Sequence, residues 1–423
     1  MRQHGLSTAW EAIVQGASLA QACDAAGMRG APRGVLVRDV RRLLAGEARL
    51  ARIASSIRTP ELMLAAIRAL EGEPAADSEL ARAGVDVQEL RQREARILEY
   101  GSPAARLGQR GSVKDEVAAA LEGTLGAGTL EFLSASWKAA PLCLRVNQAR
   151  ISRDELRARL ETEGIATEPC TWSAVGLRVL GTGPLPMSKA WEEGFYEVQD
   201  EASQLVAQVV APTRSAPVVD ACAGSGGKTL ALCAQLGTRG RVVALDIGLR
   251  RLTELRKRAA RAQAFNLLVH EAPRSTDASS PAVLDPVLRA IEGRAARVLV
   301  DAPCSGLGAM RRKPDVARRV DQAMLERLPA QQYAIAREAL RWLKPDGLLI
   351  YATCTPLAAE NEGVVARLVS EDGMQALPQR EWLPAELHGL SSNLDGTALR
   401  LLPHAHAMDG FVVHVLRSRA AAR

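Results

Sequence analysis

The apolar positions along this chain of 423 residues change period twice. Up to about residue 125, segments such as VLVRDVRRLLAGEARLARIA and PELMLAAIRALEG carry apolar residues at helical spacing, with breaks at Gly27 to Gly34 and Glu71 to Pro74. This predicts an all-helical amino-terminal domain over 1–125, with no catalytic constellation in it. Residues 126–205 read as strand, helix, strand: LCLRVNQ, SRDELRARLETEG, IATEPCTWSAVGLRVL. Ser152 with Glu155 three positions on is a capping-box signature, and Gly164 closes that helix. Such a small α+β unit suits a nucleic-acid platform and a linker domain equally. Over 206–423 short β-branched runs alternate with amphipathic helices, which predicts an α/β domain built on a doubly wound, Rossmann-like parallel sheet.

Within that last domain PVVDAC is a strand leading into the turn AGSGGKT and a helix that ends near Gly237. RVVALD is the next strand, LRRLTELRKRAARAQAF a strongly basic helix, and ARVLVDAPC a further strand. QQYAIAREALRWLKPDG reads as a helix stopped by Pro345 and Gly347, LLIYATC as a strand, and ALRLLPHAHAMDGFVVHVLR as a closing pair of strands. Ligands in open α/β sheets gather at the carboxyl ends of the strands. Asp246, Asp301, Cys304 and Cys354 are all delivered there.

Composition narrows the classes. Apolar residues make up 47% of the chain with mean hydropathy −0.04, and no apolar run reaches the roughly 18 residues of a membrane span. The opening MRQHGLSTAWEAIVQG lacks a signal-peptide pattern, so a cytoplasmic, monomeric protein without membrane association is expected. Seven scattered cysteines form no CxxC pair, and their odd number and wide scatter do not suggest a disulfide framework or a zinc site, so reduced thiols and no metal are expected. A net charge of +6 and a pI near 9.1 favour a polyanionic partner, with Arg311, Arg312, Lys313 and the basic helix Arg250 to Arg261 as the candidate phosphate contacts.

The glycines 224, 226 and 227 between strand and helix let the backbone approach a ligand, and Asp246, 22 positions after Gly224, can accept from ribose hydroxyls. NAD, ATP and S-adenosylmethionine share this logic. A P-loop requires glycine where Cys222 stands, and a dinucleotide loop wants glycine or alanine where Lys228 stands. The glycine loop, Asp246 and Asp301-Ala-Pro-Cys304 together favour S-adenosylmethionine. Two thiols at strand ends then point to pyrimidine chemistry, because cytosine C5 becomes nucleophilic only when a thiolate adds to C6. That chemistry needs one nucleophilic cysteine, a group polarising the ring, for which Asp301 is suited, and a base for the elimination.

Six segments in order resemble the Sun/Nop class of RNA 5-methylcytosine methyltransferases: LRVNQARISRDEL, YEVQDEASQLV, DACAGSGGKT, DAPCSGLGAMRRKPD, YATCTPLAAENE and LLPHAHAMDGF. The resemblance implies a class I methyltransferase domain acting on RNA, with small-subunit ribosomal RNA as the expected substrate. It implies Cys354 as nucleophile, Cys304 for product release, Asp301 at the cytosine edge and Lys228 lining the reaction pocket. It further implies that Cys222, Ala223, Gly224, Ser225, Gly226, Gly227, Lys228 and Asp246, with Asp301, hold the cofactor. The amino-terminal helices, in STAWEAIVQGASLAQA and RDVRRLLAGEARLARIA, are similar to the NusB-type RNA-binding domain of the RsmB kind of enzyme.

The chain departs from that pattern in three places. Gly224-Ser225 stands where Ala-Pro is usual, Thr355 replaces a serine, and the acid expected after the third strand falls at Ala272, leaving Glu271 or Asp277 as substitutes. These departures keep a second expectation open, an RNA-binding ribosome-assembly factor on a methyltransferase scaffold. With six Trp, four Tyr and four Phe, phosphate and shape contacts are expected to outweigh extensive base stacking.

Overall fold

The computed structural model describes residues 2–28, 30–54, 56–181, 188–272 and 286–418, so Asp277 lies outside the described residues. Two compact units emerge, Met1–Ala139 with Ser305–Glu326, and Ala140–Cys304 with Arg327–Arg423.

The first unit is helical. Pro60, Pro74 and Pro103 each open a helix, where the missing N–H leaves no bond unmade, and the Ser18 and Asp86 side chains accept from backbone N–H groups at two other starts. The amphipathic faces meet in a core containing Trp10, Leu43, Leu50, Ile53, Ile67 and Leu80. The helices run past position 125 to Ser136, and Phe132 and Leu133 of the last one are fully buried. The segment Ser305–Glu326, which strand–helix alternation assigned to the carboxy-terminal domain, packs in this unit: Arg318 pairs with Glu47 at 2.5 Å, Lys114 Nζ donates to Val320 O at 2.9 Å and Arg41 to Arg311 O at 3.0 Å. A long loop leaving a strand can pack away from its sheet, and periodicity is blind to that.

The second unit begins with a four-stranded antiparallel sheet, formed by β1 (Cys143–Val146), β2 (Thr167–Pro169), β3 (Gly176–Val179) and β4 (Tyr196–Val198) in the order β2-β3-β1-β4. The run from Ile165 to Leu180 is thus a hairpin rather than one strand. The capping box of Ser152 and Glu155 is formed, and Gly164 has φ +77 after the helix Arg153–Thr162. Leu156 and Leu160 of that helix pack on Leu144, Val146, Leu177 and Tyr196.

The larger sheet comprises β5 (Val218–Asp220), β6 (Val242–Asp246), β7 (Leu267–Glu271), β8 (Ala295–Asp301), β9 (Leu343–Thr353), β10 (Gln375–Ala376), β11 (Ala398–Leu401) and β12 (Phe411–Arg417). Its order is β10-β12-β9-β8-β5-β6-β7, with β11 also on β12. β7 through β9 are parallel, and β12 and its neighbours antiparallel, so the sheet is mixed at one edge. Val218, Val219, Val242, Val243, Val298, Leu299, Leu349 and Ile350 are buried, as expected of strands covered on both faces. The helix before β9 ends at Ala339, well ahead of Pro345, and β9 already includes Pro345 and Gly347. Between the pairs Ala295–Leu343 and Arg297–Leu348 the register shifts, and Pro345 and Gly347 fall in this irregular stretch, where the ladder does not need their hydrogen bonds.

Candidate functional site

The chain leaves β5 for β6 and β7 on one side and returns to β8 and β9 on the other, so a crevice opens where β5 and β8 part. A cleft of about 690 Å³ lies there, lined by Cys222, Gly224, Asp246, Ile247, Ala272 and Asp301 among others, with Ile335 and Trp342 forming an apolar wall. Its size suits a nucleoside-sized ligand.

The glycine turn is shaped by its surroundings. Gly224 (φ +53) and Gly226 (φ +91) are left-handed, and a Cβ on Gly226 would strike Leu255. A Cβ on Gly224 would meet nothing within 4 Å, so this turn presents bare backbone toward the cleft. Asp246, 6% exposed, anchors it: Oδ2 accepts from Gly224 N at 2.8 Å, and Oδ1 from Gly248 N and Arg251 Nη2, both at 2.7 Å. Cys222, Gly224, Asp246 and Asp301 line the cleft. Ala223 is instead buried on Leu252 and Leu255, Ser225 O accepts from Arg258, Gly226 and Gly227 start the next helix, and Lys228 turns toward Asp301. These positions form the turn behind the lining rather than the lining itself. Ala272, not Glu271, reaches the cleft, because alternation along β7 leaves Glu271 exposed; Ala272 N donates to Asp246 O at 3.0 Å.

Beside the cleft Lys228 Nζ, 8% exposed in its side chain, lies 2.6 Å from Asp301 Oδ2 and 4.6 Å from the centre of the Phe411 ring. Cys304 and Cys354, at the ends of the adjacent parallel strands β8 and β9, bring their sulfurs to 3.3 Å. The hydrogen bond to Cys354, with burial, holds the Cys304 thiol well above its ordinary value, and the charges of Glu360 and Asp301 push the same way. The two thiols share one hydrogen bond, in which either sulfur can be the donor. Burial likewise pushes the Cys222 thiol up.

Sequence reading missed the frame around these groups. Asn361, fully buried, accepts from Thr353 Oγ1 at 2.8 Å and donates to Thr355 O at 3.1 Å and Leu357 O at 2.8 Å, bracketing Cys354. Gln332 Nε2 donates to Pro303 O at 3.0 Å and to Glu360 Oε2 at 2.6 Å, tying the two cysteine loops together. Asp220, behind the turn, accepts from Thr229 at 2.7 Å and is pushed up to about 6 by burial. Asn361 and Glu360 sit in the quoted segment YATCTPLAAENE, and Asp220 opens DACAGSGGKT; nothing distinguishes Gln332 within its helix.

The expected phosphate contacts fare differently. Arg311 is buried and donates to Ala139 O at 3.2 Å. On the basic helix Arg251 serves Asp246, Arg256 donates to Val269 O, and Arg258 and Arg261 both hold Glu197, so most of its charge is consumed within the chain. Among the described residues no group of three or more His, Cys, Asp or Glu could hold a metal ion, and no helix is long and apolar enough to cross a membrane.

Comparison with known proteins adds to this geometry. The family model described as 16S rRNA methyltransferase RsmB/F matches residues 207–417, and that of the RsmF/B-like ferredoxin-like domain matches residues 118–185. A probable ribosomal RNA small subunit methyltransferase B of Synechocystis is 31% identical over 313 residues, 74% of this chain and 68% of that one. Aligned parts of such curated relatives range from 49% to 68% of their own length. Among solved structures, PH0851 superimposes with TM-score 0.75 over 98% of both chains at 22% identity. A methyltransferase homolog protein from Pyrococcus horikoshii does so with TM-score 0.60 over 75% of this chain and 99% of its own, at 24% identity. Both bear on the fold alone, a class I methyltransferase sheet.

Proposed function

We propose, for a chain that belongs to the 16S rRNA methyltransferase RsmB/F family, that it methylates C5 of a cytosine in small-subunit ribosomal RNA through a covalent adduct on Cys354. The observation that carries this reading is the 3.3 Å approach of two thiols at neighbouring strand ends, beside the Lys228–Asp301 pair. We assign the helical unit to RNA binding, in keeping with its NusB-like sequence.

The residues around the cleft fit S-adenosylmethionine. Gly224 offers bare backbone facing open space, Asp246 is a fixed carboxylate for ribose hydroxyls, and Ile247 with Trp342 offers apolar surface for an adenine. When bound, that cofactor supplies an electrophilic methyl group. The chain supplies the rest. The Cys354 thiolate adds to C6, and the C5–C6 π electrons move toward C5. Asp301 accepts from the cytosine amine, while the Lys228 ammonium balances the charge driven onto the ring.

After methyl transfer the C5 proton must leave. Adduct formation turns Cys354 into a thioether, which has no proton left to share with Cys304. Cys304 then releases its proton to solvent and, as thiolate, takes the C5 proton; the electrons of that C–H bond rebuild the double bond and expel Cys354. The 3.3 Å spacing is compatible with both sulfurs serving one base, and the division of roles between them follows the family resemblance. Ala272 at the cleft favours a second reading, an assembly factor with weak catalysis. Incubating the purified protein with in vitro transcribed small-subunit rRNA and labelled S-adenosylmethionine, followed by bisulfite sequencing, separates the two. A single cytosine protected by wild type and unprotected with Cys354→Ala is expected; RNA binding without any protected cytosine would leave the second reading standing.

A further inference from the structure

At the edge of the larger sheet opposite the cleft lies a second groove, of about 900 Å³, between the small antiparallel sheet and the loops that enter β5, β6 and β7. Arg241 of its lining immediately precedes β6, whereas Asp246 at the far end of that strand lines the cofactor cleft. Five residue steps at about 3.3 Å each put the two roughly 17 Å apart. The groove is therefore separate from the candidate active site.

Its chemistry is one-sided. Arg150, Arg214, Arg239 and Arg241 line it, and Arg214, Arg239 and Arg241 are exposed and form no ion pair or side-chain hydrogen bond among the described residues. The one carboxylate in the lining, Glu197, is already held by Arg258 at 2.9 Å and by Arg261. Phe265 stands 89% exposed in the same lining, the most exposed large apolar side chain among the described residues. The walls are pinned. Asn147 Nδ2 donates to Gly194 O at 3.0 Å and Ala262 O at 2.9 Å across the groove, and Asn266 Nδ2 to Gly237 O at 2.7 Å.

We infer that this groove is an RNA-docking surface, in which Arg214, Arg239 and Arg241 neutralise backbone phosphates and Phe265 stacks on an unpaired base. The inference rests on the RNA-methyltransferase reading and deepens it, by locating a contact remote from the target cytosine. Three considerations favour RNA. Unpaired arginines in an open groove complement a polyanion. An exposed ring beside them gives the combination of funnel and stacking platform that single strands occupy. Of the cations first expected to do this work, Arg251, Arg256, Arg258, Arg261 and Arg311 are occupied within the chain, whereas Arg214, Arg239 and Arg241 share one groove with no ion pair among the described residues.

The test compares wild type, the triple variant Arg214→Ala, Arg239→Ala, Arg241→Ala, and Phe265→Ala, binding in vitro transcribed small-subunit rRNA at salt from about 50 to 200 mM. For single strands each lost phosphate contact lowers the log–log salt slope by about 0.7, so the triple variant should lose about two from the slope. Its affinity should then vary roughly twentyfold less across that fourfold salt range. Phe265→Ala should bind about tenfold more weakly at unchanged slope. S-adenosylmethionine affinity, read by calorimetry, should match wild type in both variants and reports that the sheet is intact. Wild-type slope and affinity in the triple variant overturn the groove and leave the methyltransferase reading untouched. A wild-type protein that binds no rRNA at any salt overturns both.

Discussion

Replacing Cys304 by alanine isolates one step of the proposed reaction. The side chain lost is the thiol 3.3 Å from Cys354 Sγ, while the Asn361 hydrogen bonds around Cys354 and the Lys228–Asp301 pair involve other atoms and stay in place. Attack at C6 and methyl transfer need none of the missing atoms; removal of the C5 proton does. Loss of a positioned general base slows proton transfer by about 10² to 10⁴. Against a typical turnover of about 10 per second, the adduct lifetime should stretch from about 0.1 s to between roughly 10 and 1,000 s. The packing cost, one partly buried sulfur, is on the order of 1 kcal/mol and leaves the fold intact. Cys304→Ala incubated with labelled rRNA and S-adenosylmethionine, quenched in denaturant and run on a denaturing gel, should show a band of protein joined to RNA. Cys354→Ala and the double variant should show none. A trapped band with Cys354→Ala and none with Cys304→Ala would reverse the roles, and methylation retained by both single variants without any adduct would refute the mechanism.

Asp246→Ala removes the acceptor for Gly224 N, Gly248 N and Arg251 and the proposed ribose contact, so S-adenosylmethionine should bind about 10- to 100-fold more weakly by calorimetry. Gln332→Leu cuts the link between Pro303 O and Glu360; small displacements of catalytic groups cost up to about 10²-fold, so kcat should fall at least tenfold with cofactor affinity unchanged, and an unaltered kcat would deny Gln332 a positioning role. Burial raises Asp220 from 3.8 to about 6, so the folded state holds that proton more tightly than the unfolded chain. The charged form then weakens the fold by about 3 kcal/mol, fully above pH 6 and not below pH 4. Asp220→Asn should accordingly raise the melting temperature at pH 8 and leave it unchanged at pH 4; equal shifts at both would exclude the linkage.

The strand and helix alternation after residue 206, the helical texture before 125, the capping box at Ser152 and the strand-end positions of Asp246, Asp301 and Cys354 were all determined by the sequence alone. Such features depend on which face of an element is apolar and on what its ends require, and both are local properties. Other features belong to tertiary structure. Arg311, Arg258 and Arg261 read as free cations but are consumed by Ala139 O and Glu197, whereas Arg214, Arg239 and Arg241, unremarkable in the sequence, remain exposed together. Residues 305–326 left their sheet for the helices, and Gln332 came to bridge loops 29 and 28 positions away. A side chain's charge is written in its residue type, but whether that charge is spent depends on neighbours brought close through space, which a linear pattern does not record.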